Sequence, residues 1–376
     1  MTNSPTRVLM VMDSMGTGGT ETHVLSLART LQSRGIQLHY AGADGPFHSA
    51  FVDAGFHIHL VESSMEPLPV RNQQLNHAYR RVMEEHQISI VHVHQTPSGL
   101  LAAGAAVELG IPVVYTMHGT YYPPREAVAL AQLSDAMISV SKPVQTFWNR
   151  QGIESCVISN GIDFEAFHPD PNVSMELRTT TLCDLPQNAS VVTYVSRLAW
   201  QKASVCNMLL RATKTLTDMS SLHMVVVGTG AQSHYVDELA QALNKLKGYP
   251  YIHVVGEQTD VRPYYALSDL VVGTGRVALE AMACGKPVLA VGNHGYLGLV
   301  TPEAYPRAWE YYFGDHNSSE KPSPPLLAHA LRQAFADRQR LERWGEQGKD
   351  WIKSSFDITQ KGAELLALYE RCMRKQ

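Results

Sequence analysis

Short runs of β-branched residues alternate with amphipathic stretches along nearly the whole chain, and they do so twice. Runs at 7–12, 37–43, 57–61, 88–93, 113–117 and 136–140 precede a cluster of turn formers at 159–171. The pattern then restarts at 191–195, 223–227, 252–255, 270–272 and 288–291. Such alternation predicts parallel sheets with crossover helices, the doubly wound α/β class. Apolar spacing predicts helices at 24–31, 73–85, 99–109, 205–216, 235–247, 277–284 and 358–374. Pro169 and Pro171 forbid a helix through the break. The expectation is two Rossmann-like domains, 1–168 and 169–357, facing across a cleft, with the last helix, 358–376, crossing back to the first. A length of 376 residues suits two domains. The stretch 301–325, rich in Pro, Tyr and Trp, carries no readable pattern.

Charge narrows the function. Lys plus Arg number 31 against 35 for Asp plus Glu, a net charge of −4. That balance excludes the broad basic surface of a nucleic-acid binder and leaves room for a local basic patch. The five cysteines are scattered, never as C-x-x-C, which argues against a disulfide framework or a zinc knuckle. The first seven residues lack the charged-then-apolar pattern of a signal peptide, and no stretch is apolar for long enough to span a bilayer. The expected setting is the cytoplasm, with at most peripheral membrane contact.

Three constellations could carry chemistry. The Gly16-Thr-Gly-Gly19 turn between the first strand and its helix offers backbone N–H groups to an anion, or merely permits a tight turn. It fails the dinucleotide fingerprint, because position 21 is Glu. Arg197 and Lys202 follow the first strand of the second half, and such a pair can clamp one anionic group, a fork beside a point charge. Glu280 lies inside an apolar helix segment and must find donors, either ligand hydroxyls or a protein cation such as Arg276 one turn earlier. His92 and His94 alternate on one strand and share a face, but no carboxylate or cysteine accompanies them at ligand spacing. No metal is expected.

In order and spacing these stretches resemble the family 4 retaining glycosyltransferases of the GT-B fold, over nearly the whole chain. The matching segments are Gly18-Gly-Thr-Glu21, Thr116-Met-His-Gly119, Ser159-Asn-Gly-Ile-Asp163 with Phe167, Arg197-Leu-Ala-Trp-Gln-Lys202, Val227-Gly-Thr-Gly230 and Leu279 to Val288. The resemblance implies that Arg197 and Lys202 hold the diphosphate of a nucleotide sugar, Glu280 its ribose and His118 the donor sugar. It places Gly18 and Gly19 beside donor phosphate and acceptor. The family's first carboxylate, eight positions before Glu280, is here Val272, and its aromatic position is Thr274. The amides of Gly273, Thr274 and Gly275 are then the expected sugar contacts.

The expected reaction is transfer from a UDP-sugar to a hydroxyl acceptor (a saccharide, an aminocyclitol or a lipid-linked glycan) with retention and without a metal or other cofactor. The acceptor is expected near Glu21, His94 and Tyr121. A nucleotide-sugar-binding protein with weak catalysis, a GT-B epimerase and an NAD(P)-dependent oxidoreductase remain as alternatives, the last disfavoured by the broken glycine fingerprint.

Overall fold

The computed structural model describes residues 5–16, 18–62, 65–169, 185–186, 188–292, 295–315 and 320–374. The end of the expected linker, Asp170 and Pro171, lies outside them. The chain divides into two compact units, 1–163 with 356–376, and 164–355. The sequence placed these boundaries at 168 and 357.

The first unit is a seven-stranded parallel sheet. Its strands are β1 (Arg7–Ser14), β2 (Gln37–Ala43), β3 (His57–Leu60), β4 (Ile90–Val93), β5 (Val113–Met117), β6 (Ala136–Ser139) and β7 (Cys156–Val157). Their order in space is β3-β2-β1-β4-β5-β6-β7. β1, β4 and β5 read as near-continuous apolar runs because helices cover both faces of a parallel sheet. Alternate side chains of β1 accordingly enter two separate cores, Val8 and Met10 in one, Leu9 and Val11 in the other.

The helix Ile358–Met373 completes the first of these cores through Leu365, Leu368 and Tyr369. It is reached by a crossing at which Ile162 N–H donates to the Phe356 carbonyl (2.7 Å) and Ile358 N–H to the Ile162 carbonyl (3.0 Å). Asp357 then caps the helix by accepting from Thr359 N–H at 2.7 Å.

The second unit repeats the plan with β8 (Ser190–Val195), β9 (Leu222–Val227), β10 (Ile252–Gly256), β11 (Leu270–Gly273), β12 (Val288–Gly292) and β13 (Gly295–Leu299), in the order β10-β9-β8-β11-β12-β13. Only β13 runs antiparallel, paired with β12. Within the unassigned stretch 301–325 the structure forms the helix Tyr305–Glu310 and a tight turn, Tyr312–Gly314. No helix among the described residues is long and apolar enough to cross a membrane.

Candidate functional site

Strand order reverses between β1 and β4 in the first sheet and between β8 and β11 in the second. In open α/β sheets ligands bind at the carboxyl ends of strands at such a switch point. The segments singled out from sequence follow β1, β4, β5, β8 and β11, so each half of the expected site lies at the crevice of its own sheet.

In the first unit the helix Gly19–Gln32 starts after Gly18, with no side-chain cap. The turn already holds an anion. Glu21 is buried, and its carboxylate folds back over Gly18, where a Cβ would stand 2.5 Å from Oε2. Gln95 Nε2 donates to Glu21 Oε1 (3.2 Å), and Gln95 Oε1 accepts from Asp13 N–H (2.7 Å), so one amide ties three segments together. A phosphate at Gly18 and Gly19 would therefore meet a fixed carboxylate.

Imidazoles line the neighbouring strand ends. His94 Nδ1 lies 3.1 Å from His118 Nε2, and the ring of His23 packs edge-on 5.1 Å from that of His118. His92 and His94 do share a face, with ring centroids 4.1 Å apart. Both nitrogens of His92 are engaged, by the Tyr369 hydroxyl (2.5 Å) and Thr116 Oγ1 (2.7 Å), which leaves no lone pair for a metal. Burial pushes His92 and His118 down to about 3 and His94 well below its ordinary value. His118 keeps some surface open to solvent, but it is packed deep among protein atoms and stays a neutral donor and acceptor. Its partnership with His94 leaves Nδ1 for a ligand.

Tyr122, which the sequence reading passed over, pins these strand ends. Its hydroxyl accepts from His118 N–H (3.3 Å) and donates to the His94 carbonyl (3.1 Å). Tyr121 beside it is exposed. A cavity of about 500 Å³ opens on the other side of β1, bounded by Asp13, Arg71 and Asn72 and by the apolar Leu68, Leu75 and Leu101. Crowding by protein atoms pushes the Asp13 carboxyl up.

In the second unit Arg197 is exposed and Lys202 half-buried. The two flank the start of the helix Trp200–Ala212. No carboxylate pairs with either side chain among the described residues. The loop is held from behind: Leu198 N–H donates to the Thr229 carbonyl (2.8 Å). Gly228 (φ 132°) passes so close that a Cβ would stand 2.0 Å from the Ser196 carbonyl oxygen, which explains the glycines of Val227-Gly-Thr-Gly230.

Glu280 is buried and internally paired. Its Oε1 accepts from Arg276 Nε (2.6 Å) and its Oε2 from the Tyr265 hydroxyl (3.1 Å). A ribose would share the carboxylate with these donors.

Of the three expected sugar-binding amides, that of Gly275 already has a partner. Gly275 N–H donates to the Tyr312 carbonyl at 3.3 Å, and the Thr274 hydroxyl, not its amide, points to the same oxygen at 3.5 Å. Gly275 takes φ 55°, and behind it Tyr312 and Phe313 hold φ 47° and 57°, strain of a kind that gathers at functional turns. Val272 lies inside β11 with no exposed surface, packed into the apolar core. The Val272 side chain faces that core.

Residues 17–166 match the family described as Glycosyltransferase Family 4, and residues 184–351 the family described as Glycosyl transferases group 1. Together the matches leave only the ends and a short junction uncovered. The chain is 24% identical over 295 residues to the EpsD glycosyltransferase of Bacillus subtilis, covering 71% of this chain and 74% of that one. A glycosyltransferase from Rickettsia africae superposes with a TM-score of 0.79 at 18% identity, over 99% of this chain and all of the other. Anabaena HepE, solved with UDP-glucose, superposes at 0.73 and 20% identity, over 96% and 99%. With both halves matched and the two-sheet fold shared, the chain belongs to the family 4, group 1 glycosyltransferases of the GT-B fold.

Proposed function

We propose that this glycosyltransferase moves a sugar from a UDP-sugar to a hydroxyl acceptor, retaining the anomeric configuration and using no metal. The observation that carries the reading is the pair Arg197 and Lys202, cations without a carboxylate partner among the described residues, at the switch-point turn of the second sheet. As the bond from the anomeric carbon to the diphosphate breaks, charge grows on the departing oxygen, and pre-placed cations stabilise it there without a dication. The UDP-glucose held by Anabaena HepE supports a uridine donor.

Glu280, turned slightly from Arg276, would accept a ribose hydroxyl with its remaining lone pairs. His118 Nδ1 would meet a donor hydroxyl. A histidine held at about 3 is a poor base for an alcohol at neutral pH. The proton of the acceptor hydroxyl would therefore pass to the departing phosphate oxygen as the new carbon–oxygen bond forms. Attack then comes from the face the phosphate leaves, and the configuration is kept. Glu21, His94, Tyr121 and the cavity beside Asp13 line the acceptor side, and the fixed carboxylate of Glu21 assigns Gly18 and Gly19 to hydroxyls more readily than to phosphate.

The test is a thermal-shift screen of nucleotide sugars, then transfer with chelator-treated enzyme and NMR of the product's anomeric configuration. An inverted product would remove the retaining course, and activity lost to chelation and restored by Mg²⁺ or Mn²⁺ would remove metal independence. The buried Val272 favours one second reading, donor binding with little turnover, which measurable transfer excludes.

A further inference from the structure

The edge of the first sheet carries a cluster of histidines that the glycosyl-transfer reading leaves unused. β2 and β3 run parallel, with His39 opposite His57 and Ala41 opposite His59. Alternation along a strand therefore puts all three imidazoles on one face. The helix Leu68–Glu85 covers that face through Tyr79, Val82 and Met83, and its C-terminal capping residue is His86. His39 Nδ1 lies 2.9 Å from His59 Nε2, and the His86 ring centroid is 4.3 Å from that of His59 and 5.4 Å from that of His39. One ring nitrogen from each of His39, His59 and His86 lies within 4.8 Å of the other two, and no other group of three donors does so among the described residues. Around tetrahedral zinc, with bonds of about 2.0–2.1 Å, nitrogens stand about 3.3 Å apart, so small side-chain turns close the set.

A second observation points the same way. His39 is only 4% exposed, yet its Nε2 has no hydrogen-bond partner. A buried polar atom left unpaired calls for a ligand. Burial and the neighbouring rings also hold His39 at about 3 and His59 at about 4, the neutral form that has a lone pair to give.

We propose that His39, His59 and His86 form a binding site for a zinc-class transition-metal ion, with His57 at its rim, clipping edge strand β3 to the end of the helix above it. Three imidazoles without a carboxylate suit zinc, nickel or copper and not magnesium or calcium. The guanidinium of Arg7, held by Gln37 and Gln87 at 3.0 Å each, bears on the same group and opposes any dication there, a cost the imidazole lone pairs must offset. In free protein one proton is shared between His39 Nδ1 and His59 Nε2. The site begins at the third residue of β2, away from the turns after β1, β4 and β5, and does not depend on the donor chemistry.

The second unit supplies a control. His223 and His253 form the same offset pair across β9 and β10, 3.1 Å apart, with His253 opposite Val225. No third donor joins them in a group of three among the described residues.

The experiment titrates untagged, chelator-stripped full chain with Zn²⁺ against a chromophoric chelator, and repeats it with Co²⁺ to read coordination geometry. The expected result is one equivalent bound with a Kd on the order of micromolar or tighter, a tetrahedral cobalt spectrum and a raised Tm. His59→Gln and the half-buried His86→Ala should each weaken binding more than about tenfold, since even outer-shell losses cost that much. His223→Gln and His253→Gln should leave it unchanged. His39→Gln should lose binding too, but His86→Ala decides, because its side chain is not fully buried. Equal zinc affinity in wild type and His86→Ala, or a loss that follows His223→Gln instead, would overturn the site.

Discussion

The two units share strand order and parallel pairing, yet their switch-point edges carry opposite chemistry. In the first, the imidazoles and one carboxylate have partners within the protein: Glu21 with Gln95, His94 with His118, His92 with Tyr369 and Thr116. In the second, Arg197 and Lys202 keep their charge uncompensated by any carboxylate among the described residues. A desolvated set of acceptors and neutral imidazoles suits hydroxyls that need orientation, and cations without a carboxylate partner suit a leaving group that gains charge. One backbone plan thus serves two tasks through the few residues that follow particular strands.

The contrast is most exposed to attack at the cations. Arg197→Ala or Lys202→Ala should lower transfer about 100- to 1000-fold, as loss of a single charge-stabilising donor does, with circular dichroism unchanged. Near-normal turnover in either folded variant would remove the leaving-group role. Glu280→Gln should weaken binding of the free nucleoside diphosphate about tenfold, roughly 1.4 kcal/mol, by calorimetry. Unchanged affinity would leave Glu280 as a purely internal partner of Arg276 and Tyr265.

Acid should distinguish the units as well. His92 and His118 titrate at about 3 in the folded chain against an ordinary value near 6.5. On acidification below 6.5 the unfolded first unit takes up protons that the folded one refuses, so stability complete above that pH falls progressively toward pH 3. The turns after β8 and β11 contain no histidine, and the His253 that burial holds low in the second unit lies on β10, two strands from β8. Hydrogen exchange should therefore show β4 and β5 losing protection at higher pH than β8 and β11, and simultaneous loss would break the comparison. The smallest effect is expected from Tyr369→Phe, which strands one nitrogen of His92 and should cost about 1 kcal/mol in denaturant unfolding.

Much of this was legible in the sequence, and the exceptions have physical causes. Buried parallel strands announce themselves as apolar runs, so β2 and β5 fall where periodicity puts them. β7, at two residues, and β13, rich in glycine, carry too little pattern to register. The site residues were visible through their place after strands, and Arg276 as a partner of Glu280 through helix spacing, but the partners distant in sequence were not. Tyr312 reaches Gly275 from a stretch without periodicity, and Tyr265 reaches Glu280 from a preceding helix. The edge histidines 39, 59 and 86 are separated by up to 47 positions and meet only through strand register and a helix end. Strain at Tyr312 and Phe313 has no sequence signal at all.

The paired crossing of Ile162 and Asp357 also sets an order of assembly during synthesis. Residues 5–163 leave the ribosome without the helix that buries one face of their sheet and brings Tyr369 to His92. The whole of 164–355 must follow first, roughly 10–40 s at ordinary elongation rates. In that interval Met10, Leu27 and Leu31 border an unfilled groove, while the second unit has all of its strands in hand. The unit made first is thus the last to be finished, and a stalled or shortened product would present that groove to the chaperones of the cell.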